Sequence, residues 1–329
     1  TMFQVRRWGI SPTATRFYTN QDSLTADGNS TTTLFIVPKD SLLNNLNEGH
    51  QIEFRTTAGQ LLGAVQYIGD GVYTQELQAP TTVGSATVMA FVDDVEIQQK
   101  IAIAFHHGPL LSFFIESVNG GDIMPQTVNV ALEIRITAID AFENRVTTFN
   151  DSARLSSDGS LRQSVGRVVG FRNGVVNRHS ITFEDDGVFR IIVTRLGGNE
   201  FGQSDPITVV APPPSISSIS HTCMMPDSML TIYGAHFNYS STRVFIGDSE
   251  VSNFTTLGDS LILLQVPTFA RSGYVRVENS GGGATFAEWL TLYTYKLRII
   301  SNDLSGIAVS EHNSTVYLLD QSSNSVHIY

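Results

Sequence analysis

The sequence of 329 residues contains a single cysteine, Cys223. One cysteine cannot form an intramolecular disulfide, so each domain must be held together by its hydrophobic core. Small secreted eukaryotic domains are often rich in disulfides, and their absence here favours a bacterial or viral origin. We expect Cys223 to be a small, buried apolar residue.

Long apolar runs are also missing, since none approaches the roughly 18 residues that a membrane-spanning helix needs. We therefore expect no direct membrane insertion. No signal peptide is visible in residues 1–10, where Arg6 and Arg7 interrupt the apolar residues. A mature chain would lack one in any case, so this says little about export.

Charged residues are scarce, at 16% of the chain, and the net charge is −11. An acidic chain repels phosphate groups, and the sequence has no basic stripe with interleaved aromatic residues. We predict that the protein does not bind nucleic acid. Serine, threonine, asparagine and glycine are abundant instead, as is common on the surfaces of extracellular β-proteins.

The apolar residues occur in short runs that alternate with polar ones or are rich in Val, Ile, Phe and Thr, which predicts β-strands. The clearest runs are 32–37, 87–92, 132–139, 189–194, 260–266 and 273–277. Turn pairs such as Asp70-Gly71 and Asn173-Gly174 separate them. No amphipathic helix longer than about two turns is evident. The predicted fold class is all-β, with tandem immunoglobulin-like β-sandwiches and a short C-terminal β-repeat.

Two shifts in composition predict linkers, at His106-His107-Gly108-Pro109 and at the proline-rich stretch 211–215. A third boundary is predicted near 293–296. The sequence therefore predicts modules at 1–106, 107–211 and 212–295, and a fragment at 296–329. We expect the three modules to be unlike one another.

The first module carries a series of spaced elements in a recognisable order. They are SLTADGNST at 23–31, VPKD at 37–40, IEFRTTAGQL at 52–61, DGVYTQEL at 70–77 and GSATVMA at 84–90. This order resembles the bacterial immunoglobulin-like domains of the invasin and intimin type, which implies a β-sandwich of a surface protein. Pro38 departs from the pattern and predicts a strand edge or bulge.

The second module contains DAFENRV at 140–146, GVFRI at 187–191 and SDPITV at 204–209. These segments resemble the bacterial immunoglobulin-like repeats of surface proteins. That family usually has a glycine where this chain has Glu143, so the geometry of the turn is an open question.

The third module has PSISSI at 214–219, TIYGAHF at 231–237, VFIG at 244–247, LQVP at 264–267 and GYVRVENSGG at 273–282. This series resembles an IPT/TIG domain, another immunoglobulin-like sandwich.

The C-terminal fragment reads LSGIAV at 304–309, TVYLLD at 315–320 and SNSVHIY at 323–329. It resembles one repeat of an NHL-type β-propeller. One repeat cannot bury its own faces, which predicts that the parent protein continues beyond Tyr329. Alternatively, these strands add to a sheet edge of another chain, which would make the protein a filament subunit.

Two segments mimic catalytic or metal-binding motifs. Residues 258–261 spell the Gly-Asp-Ser-Leu signature of a hydrolase family, but they lie between two predicted strands and no Asp-x-x-His pair follows. We predict a hairpin turn there, no catalytic residue and no enzyme activity. His106 and His107 are adjacent, so in an extended chain they face opposite sides and cannot easily chelate one ion. We expect an exposed linker.

Weak calcium candidates are the paired carboxylates Asp93, Asp94, Asp185 and Asp186, because carboxylates at a module junction can bind Ca²⁺ together with backbone carbonyls. Solvated turns are the alternative, and we expect no other cofactor. Five asparagines stand in N-glycosylation sequons: Asn29, Asn150, Asn238, Asn253 and Asn313. Most aromatic residues, including Trp8 and Trp289, are predicted to lie in the core. Phe113-Phe114 is the exception, since consecutive residues face both sides of a strand, and we expect the pair to lie under the neighbouring module or in an interface.

The favoured hypothesis is an extracellular structural or adhesive protein, a stalk or filament subunit that uses strand edges and loops. Its expected partners are other proteins, copies of itself, or a surface glycan or receptor, and its expected location is the cell surface or a secreted appendage. Two alternatives remain: a spacer within a larger secreted propeller-bearing binding protein or enzyme, and a phage or virion surface protein.

Overall fold

A computed structural model describes residues 9–161 and 167–293, together with three strands between 304 and 328. The described residues form 31 strands and no helix, as the short alternating apolar runs predict. The chain divides into two compact units, Thr1–Pro212 and Pro213–Tyr329. The division falls inside the proline-rich stretch at 211–215.

The first module is a sandwich of two sheets around one core. Its strands are β1 (Arg16–Thr19), β2 (Ser23–Thr25), β3 (Thr31–Val37), β4 (Ile52–Thr56), β5 (Gln60–Gly69), β6 (Val72–Gln78), β7 (Gly84–Val92), β8 (Val95–Glu96) and β9 (Ile101–His106). One sheet has the order β1-β3-β6-β5, and the other has the order β2-β9-β7-β4 with β8 paired to β7. Alternate residues of the strands point inward; Phe17, Leu34, Ile36, Leu77 and Ile103 are among those fully buried.

The second module lies in the same unit. Its strands are β10 (Ser112–Ser117), β11 (Gln126–Thr127), β12 (Ala131–Ile139), β13 (Ser152–Ser157), β14 (Arg167–Gly170), β15 (Val175–Thr182), β16 (Gly187–Phe189), β17 (Ile191–Arg195), β18 (Phe201–Gln203) and β19 (Ile207–Val210). They form three sheets, in the orders β10-β12-β15, β11-β19-β16 and β14-β13-β17-β18. Phe113, Phe149 and Phe171 pack together in the core, with ring centroids 5.0 to 5.6 Å apart.

The first two modules share nearly the same strand topology, although their sequences are unlike. β10, β12 and β15 are connected as β1, β3 and β6 are, and β11 lies parallel to β19 as β2 lies parallel to β9. One difference is β14, which pairs with β13, whereas its counterpart β5 pairs with β6. The two modules are similar in strand order and pairing, but not in the side chains of their strands.

The third module begins the second unit. Its strands are β20 (Ser215–Ile219), β21 (Cys223–Met224), β22 (Met229–Ala235), β23 (Arg243–Ile246), β24 (Ser249–Val251), β25 (Phe254–Thr256), β26 (Leu261–Gln265), β27 (Gly273–Asn279) and β28 (Gly282–Leu292). The two sheets run β20-β22-β26-β25 and β21-β28-β27-β23-β24. Leu230, Ile232, Phe237 and Leu290 are fully buried in its core.

Three further strands form an antiparallel meander in the order β29-β30-β31. They are β29 (Leu304–Ser310), β30 (Thr315–Asp320) and β31 (Ser325–Ile328).

Two predictions of burial are wrong. Cys223 is exposed, because its neighbour Met224 turns inward and adjacent strand residues face opposite sides. Trp289 is 51% exposed for the same reason, since Leu290 takes the inward position on β28. Phe113 is buried and Phe114 is exposed, so the two rings face opposite sides of their strand as expected, and an interface at Phe114 stays a prediction. Trp8 lies outside the described residues.

Candidate functional site

A tight turn after β12 is built around the carboxylate of Asp140. Its Oδ1 accepts hydrogen bonds from the backbone N–H groups of Phe142 and Asn144, each at 2.9 Å. The side-chain amide of Asn144 donates to Oδ2 at 3.1 Å, and the backbone N–H of Asp140 donates to the Asn144 carbonyl at 3.0 Å. Asp140 and Asn144 are both buried, so the turn is a satisfied polar cluster in an apolar module.

This turn joins the second module to the first. Asn144 Nδ2 donates to the carbonyl oxygen of Thr81 at 2.8 Å, and its Oδ1 accepts the backbone N–H of Val83 at 3.1 Å. Thr81 and Val83 lie in the loop between β6 and β7. Asp140 Oδ2 also accepts the backbone N–H of Gly108 at 2.8 Å. The joint between the modules is therefore held by oriented hydrogen bonds.

The charge of Asp140 is stabilised where it lies. Burial acts to raise the pKa of its carboxyl, but hydrogen bonds from Gly108, Phe142 and Asn144 outweigh burial and hold the pKa below its ordinary value. Asp140 is therefore an anion at neutral pH, and it orients Asn144 toward the first module.

The first module contains the same turn at Asp40. Leu42 and Asn44 donate their backbone N–H groups to Asp40 Oδ1 at 2.9 Å, and the Asn44 amide donates to Oδ2 at 3.0 Å. The Asp40 N–H donates to the Asn44 carbonyl at 3.1 Å. The hydrogen bond from the Asn44 amide holds the pKa of Asp40 below its ordinary value, with backbone donors adding to the effect. Every one of these residues stands 100 positions before its counterpart.

The open question at Glu143 has a clear outcome. Glu143 has φ +64° and its counterpart Leu43 has φ +69°, both in the left-handed region that glycine adopts without strain. The turn therefore keeps the geometry that the usual glycine would give, with a side chain in its place. The cost of about 1–2 kcal/mol for each such residue is offset by the surrounding hydrogen bonds.

Both modules also contain a glycine turn that packs against the segment following the aspartate turn. Asp70-Gly71 and Asn173-Gly174 both have positive φ at both positions. A side chain on Gly71 would meet the carbonyl of Leu46, and one on Gly174 would meet the carbonyl of Val146. The segment that follows each aspartate turn is thus packed against a glycine turn from the next hairpin.

The outer face of the third module presents an aromatic surface. Tyr274 and Trp289 are opposite each other on β27 and β28, with ring centroids 5.1 Å apart in an edge-to-face arrangement. Tyr274 is 48% exposed and Trp289 is 51% exposed. On the neighbouring strand, Phe245 is covered by Arg276, whose guanidinium lies 4.3 Å from the ring centroid, and by Arg243 at 5.0 Å. We call these five residues the aromatic face.

The first predicted calcium pair lies in a hairpin. Asp93 and Asp94 form the two-residue turn between β7 and β8, with φ +47° and +67°, as in a type I′ turn. Asp93 accepts hydrogen bonds from the backbone N–H of Gln51 at 2.8 Å and pairs with His50 Nδ1 at 2.7 Å.

The second predicted calcium pair lies between β15 and β16, where Asp185 is exposed and Asp186 is buried. This loop corresponds to the loop of Thr81 and Val83 in the first module. Among the described residues, no group of three or more His, Cys, Asp or Glu side chains is placed to hold a metal ion. Calcium binding by either pair stays a prediction.

The sequons at Asn29, Asn150, Asn238 and Asn253 are all exposed, and Asn313 lies outside the described residues. Asn150 also has a structural role, since its Oδ1 accepts the N–H of Asn173 at 2.8 Å. Glycosylation of these residues stays a prediction.

The hydrolase-like tetrapeptide forms the turn between β25 and β26, where the N–H of Leu257 donates to the carbonyl of Leu261. Asp259 accepts the N–H of His236 at 3.2 Å, so it holds a neighbouring loop. His106 ends β9 and is exposed, and His107 Nε2 lies 3.4 Å from Thr148 Oγ1. The predicted linker is thus tied to both modules. The described residues include no helix of the length and apolarity that crossing a membrane requires.

Comparison with known families identifies two of the modules. Residues 11–108 match the family described as Invasin, domain 3, and residues 214–295 match the IPT/TIG domain family. The chain thus contains bacterial immunoglobulin-like adhesin modules. The invasin-type and IPT/TIG resemblances expected from the sequence are confirmed, whereas neither family match extends over the second module or the NHL-like repeat at 304–329. No curated protein matches the chain.

Solved structures of bacterial adhesins also align with the chain. The Yersinia pseudotuberculosis protein InvD aligns at 16% identity and TM-score 0.41, over 97% of this chain and 98% of that one. Invasin, a bacterial integrin-binding protein, aligns at 13% identity and TM-score 0.42, over 86% of this chain and 60% of that one. The Yersinia pseudotuberculosis adhesin InvE aligns at 13% identity and TM-score 0.38, over 78% and 76%. The family matches, and not these alignments, identify the modules.

Proposed function

We propose that the protein is an extracellular adhesive stalk, located at a cell surface or in a secreted appendage. In this role, immunoglobulin-like modules joined in series carry a contact surface away from their point of attachment. Its partner is a protein receptor or a surface glycan. We propose binding and not catalysis, since the hydrolase-like Ser260 lies in a hairpin turn beside an aspartate that holds a loop.

The joint between the first two modules is the observation that carries this proposal. A stalk must transmit force between modules, and a flexible linker alone does not fix their orientation. Here Asn144 makes two hydrogen bonds to the neighbouring module, and the buried Asp140 orients it. The match of residues 11–108 to a domain of invasin adds independent support.

The aromatic face is the surface we propose for contact with the partner. Residues that contribute most to binding in protein interfaces are enriched in Trp, Tyr and Arg, and this face holds all three. Tyr274 and Trp289 pack on each other and Phe245 packs against Arg276, so little side-chain entropy is lost on binding. Exposed aromatic rings would also stack on the apolar faces of sugars.

Adhesion of coated beads to cultured cells tests the proposal. Beads carrying the full chain should bind cells, and beads carrying Trp289→Ala or Tyr274→Ala should bind about tenfold less, as expected for loss of a central contact. Pretreating the cells with protease or with glycosidase distinguishes a protein receptor from a glycan.

Phe269→Ala is the matched control, because Phe269 is an exposed aromatic residue of the same module outside the aromatic face. It should leave binding unchanged. No binding of the unsubstituted chain would count against adhesion, and equal binding by all three variants would exclude the aromatic face.

A second candidate function is assembly into filaments, favoured by the sheet of β29, β30 and β31. Within the described residues, β29 and β31 each pair on one side only, and such edges accept further strands. Analytical ultracentrifugation over a range of concentrations tests this. Growth to large species that depends on β29 or β31 would support filaments, and a monomer throughout would refute them.

A further inference from the structure

We propose that the Asp40–Asn44 turn is a docking site for another immunoglobulin-like module. Specifically, it receives a loop of the kind that Thr81 and Val83 present to Asn144. This inference concerns how modules join, and it holds whether or not the protein is adhesive.

The Asp40 and Asp140 turns have the same hydrogen-bond geometry. Asp40 and Asp140 accept the same two backbone N–H groups and the same side-chain amide, at distances that agree within 0.1 Å. The residue before each asparagine is left-handed in both. A turn that holds its asparagine in one orientation in the second module therefore holds it so in the first.

The two turns differ in the exposure of their asparagines. Asn144 is 7% exposed, because the loop of the first module lies over it. Asn44 is exposed, and so are the adjacent Leu42 and Leu43, at 60% and 65%. Their counterparts Phe142 and Glu143 are also exposed in the docked turn, so the difference between the two turns lies at the asparagine.

The free hydrogen-bonding groups of Asn44 determine which partner can bind there. An amide has two hydrogens, and Asn44 uses one on Asp40. Its other hydrogen and its Oδ1 match a backbone carbonyl and a backbone N–H two residues apart, as at Thr81 and Val83. In the second module, Asp140 also accepts the N–H of Gly108 from the segment between the modules. An immunoglobulin-like module placed ahead of the turn supplies both the carbonyl and the N–H, so we commit to that occupant.

A chain extended by one module tests the proposal. Residues 1–9 are replaced by a second copy of residues 9–109, so that Pro109 of the copy is joined to Ile10. This keeps the same chain length between the loop and the turn as in the natural joint. Cys223→Ser removes the natural thiol. Spin labels are attached through Thr82→Cys in the added copy and Ser41→Cys in the original one. The reference is the natural chain labelled through Thr82→Cys and Ala141→Cys, positions that are exposed. Double electron–electron resonance then gives the distance distribution of each pair.

The extended chain should reproduce the mean distance and the narrow width of the natural joint. Asn44→Ala should broaden the distribution at least twofold, as Asn144→Ala should in the natural chain. Val83→Pro in the added copy removes the partner N–H without touching the Asp40 turn. It should therefore also broaden the distance distribution, and it tests the contact even if Asn44→Ala disturbs folding. Asn47→Ala, an exposed asparagine nearby, should have no effect. A broad distribution in the extended chain, or a narrow one that both variants leave unchanged, would overturn the proposal.

Discussion

The side-chain amide of Asn144 donates a hydrogen bond to the backbone carbonyl of Thr81 across 2.8 Å. The same side chain accepts the N–H of Val83 at 3.1 Å. One buried residue of the second module therefore satisfies two backbone groups of the first. Since a buried polar group without its partner costs more than an exposed one, this residue should control how the two modules behave together.

Replacing Asn144 by alanine should uncouple the first two modules. The substitution leaves the carboxylate of Asp140 without one donor and removes both bonds to the loop, at a cost of about 1–3 kcal/mol. Differential scanning calorimetry should show the unfolding transition of the first unit split or broadened. Asn44→Ala is the matched control, because it removes the corresponding turn contact where no described module is docked. If both variants gave the same trace, the joint would not depend on Asn144.

Replacing Glu143 by glycine should stabilise the second module by about 0.5–1 kcal/mol. Glycine relieves the left-handed backbone strain of roughly 1–2 kcal/mol, and part of the gain is lost to the greater entropy of the unfolded chain. The free energy of unfolding in urea measures the effect. Ala141→Gly, in the same turn without positive φ, should destabilise instead. A loss of stability with Glu143→Gly would mean that its side chain contributes contacts outweighing the strain.

The sequence predicts the strands well, because alternation of apolar residues and glycine turns are local signals. It fails for Cys223 and Trp289, because neither a two-residue strand nor the irregular pairing of β28 reveals which face a residue takes. The sequence alone also does not predict that the Asp40–Asn44 and Asp140–Asn144 turns have the same structure. The signal was present as Asp-x-x-x-Asn repeated after 100 residues, but SLL and AFE between the two residues share nothing.

The joint itself had no sequence signal on one of its sides. Thr81 and Val83 take part through backbone groups, which every residue except proline carries in full. Only the docked arrangement shows that these two positions matter.

The stability of the second module should depend on pH through Asp140. Its pKa is lowered in the folded state, below the ordinary value of 3.8, so its contribution is complete above that value and is lost as the pH falls through the folded pKa. Because other carboxylates titrate nearby, the quantity to measure is the difference between the natural chain and Asp140→Asn. That difference should shrink steadily below about pH 4. A difference that is constant from pH 7 to pH 2 would show that the charge of Asp140 is irrelevant.

Cys223 should react rapidly in the folded protein. The residue is exposed on β21, so a thiol reagent such as 5,5′-dithiobis(2-nitrobenzoic acid) should modify it at a rate within about tenfold of that in denaturant. Cys223→Ser should change the free energy of unfolding by less than about 0.5 kcal/mol. Reaction only after unfolding would show that the residue is buried after all.

Amide hydrogen exchange at Val83 tests the central claim, that the first two modules are joined through Asn144. We expect the N–H of Val83 to exchange at least tenfold more slowly in the natural chain than in Asn144→Ala, and Asn44→Ala to leave its exchange rate unchanged. An exchange rate at Val83 that Asn144→Ala does not alter would show that the two modules are not joined through Asn144.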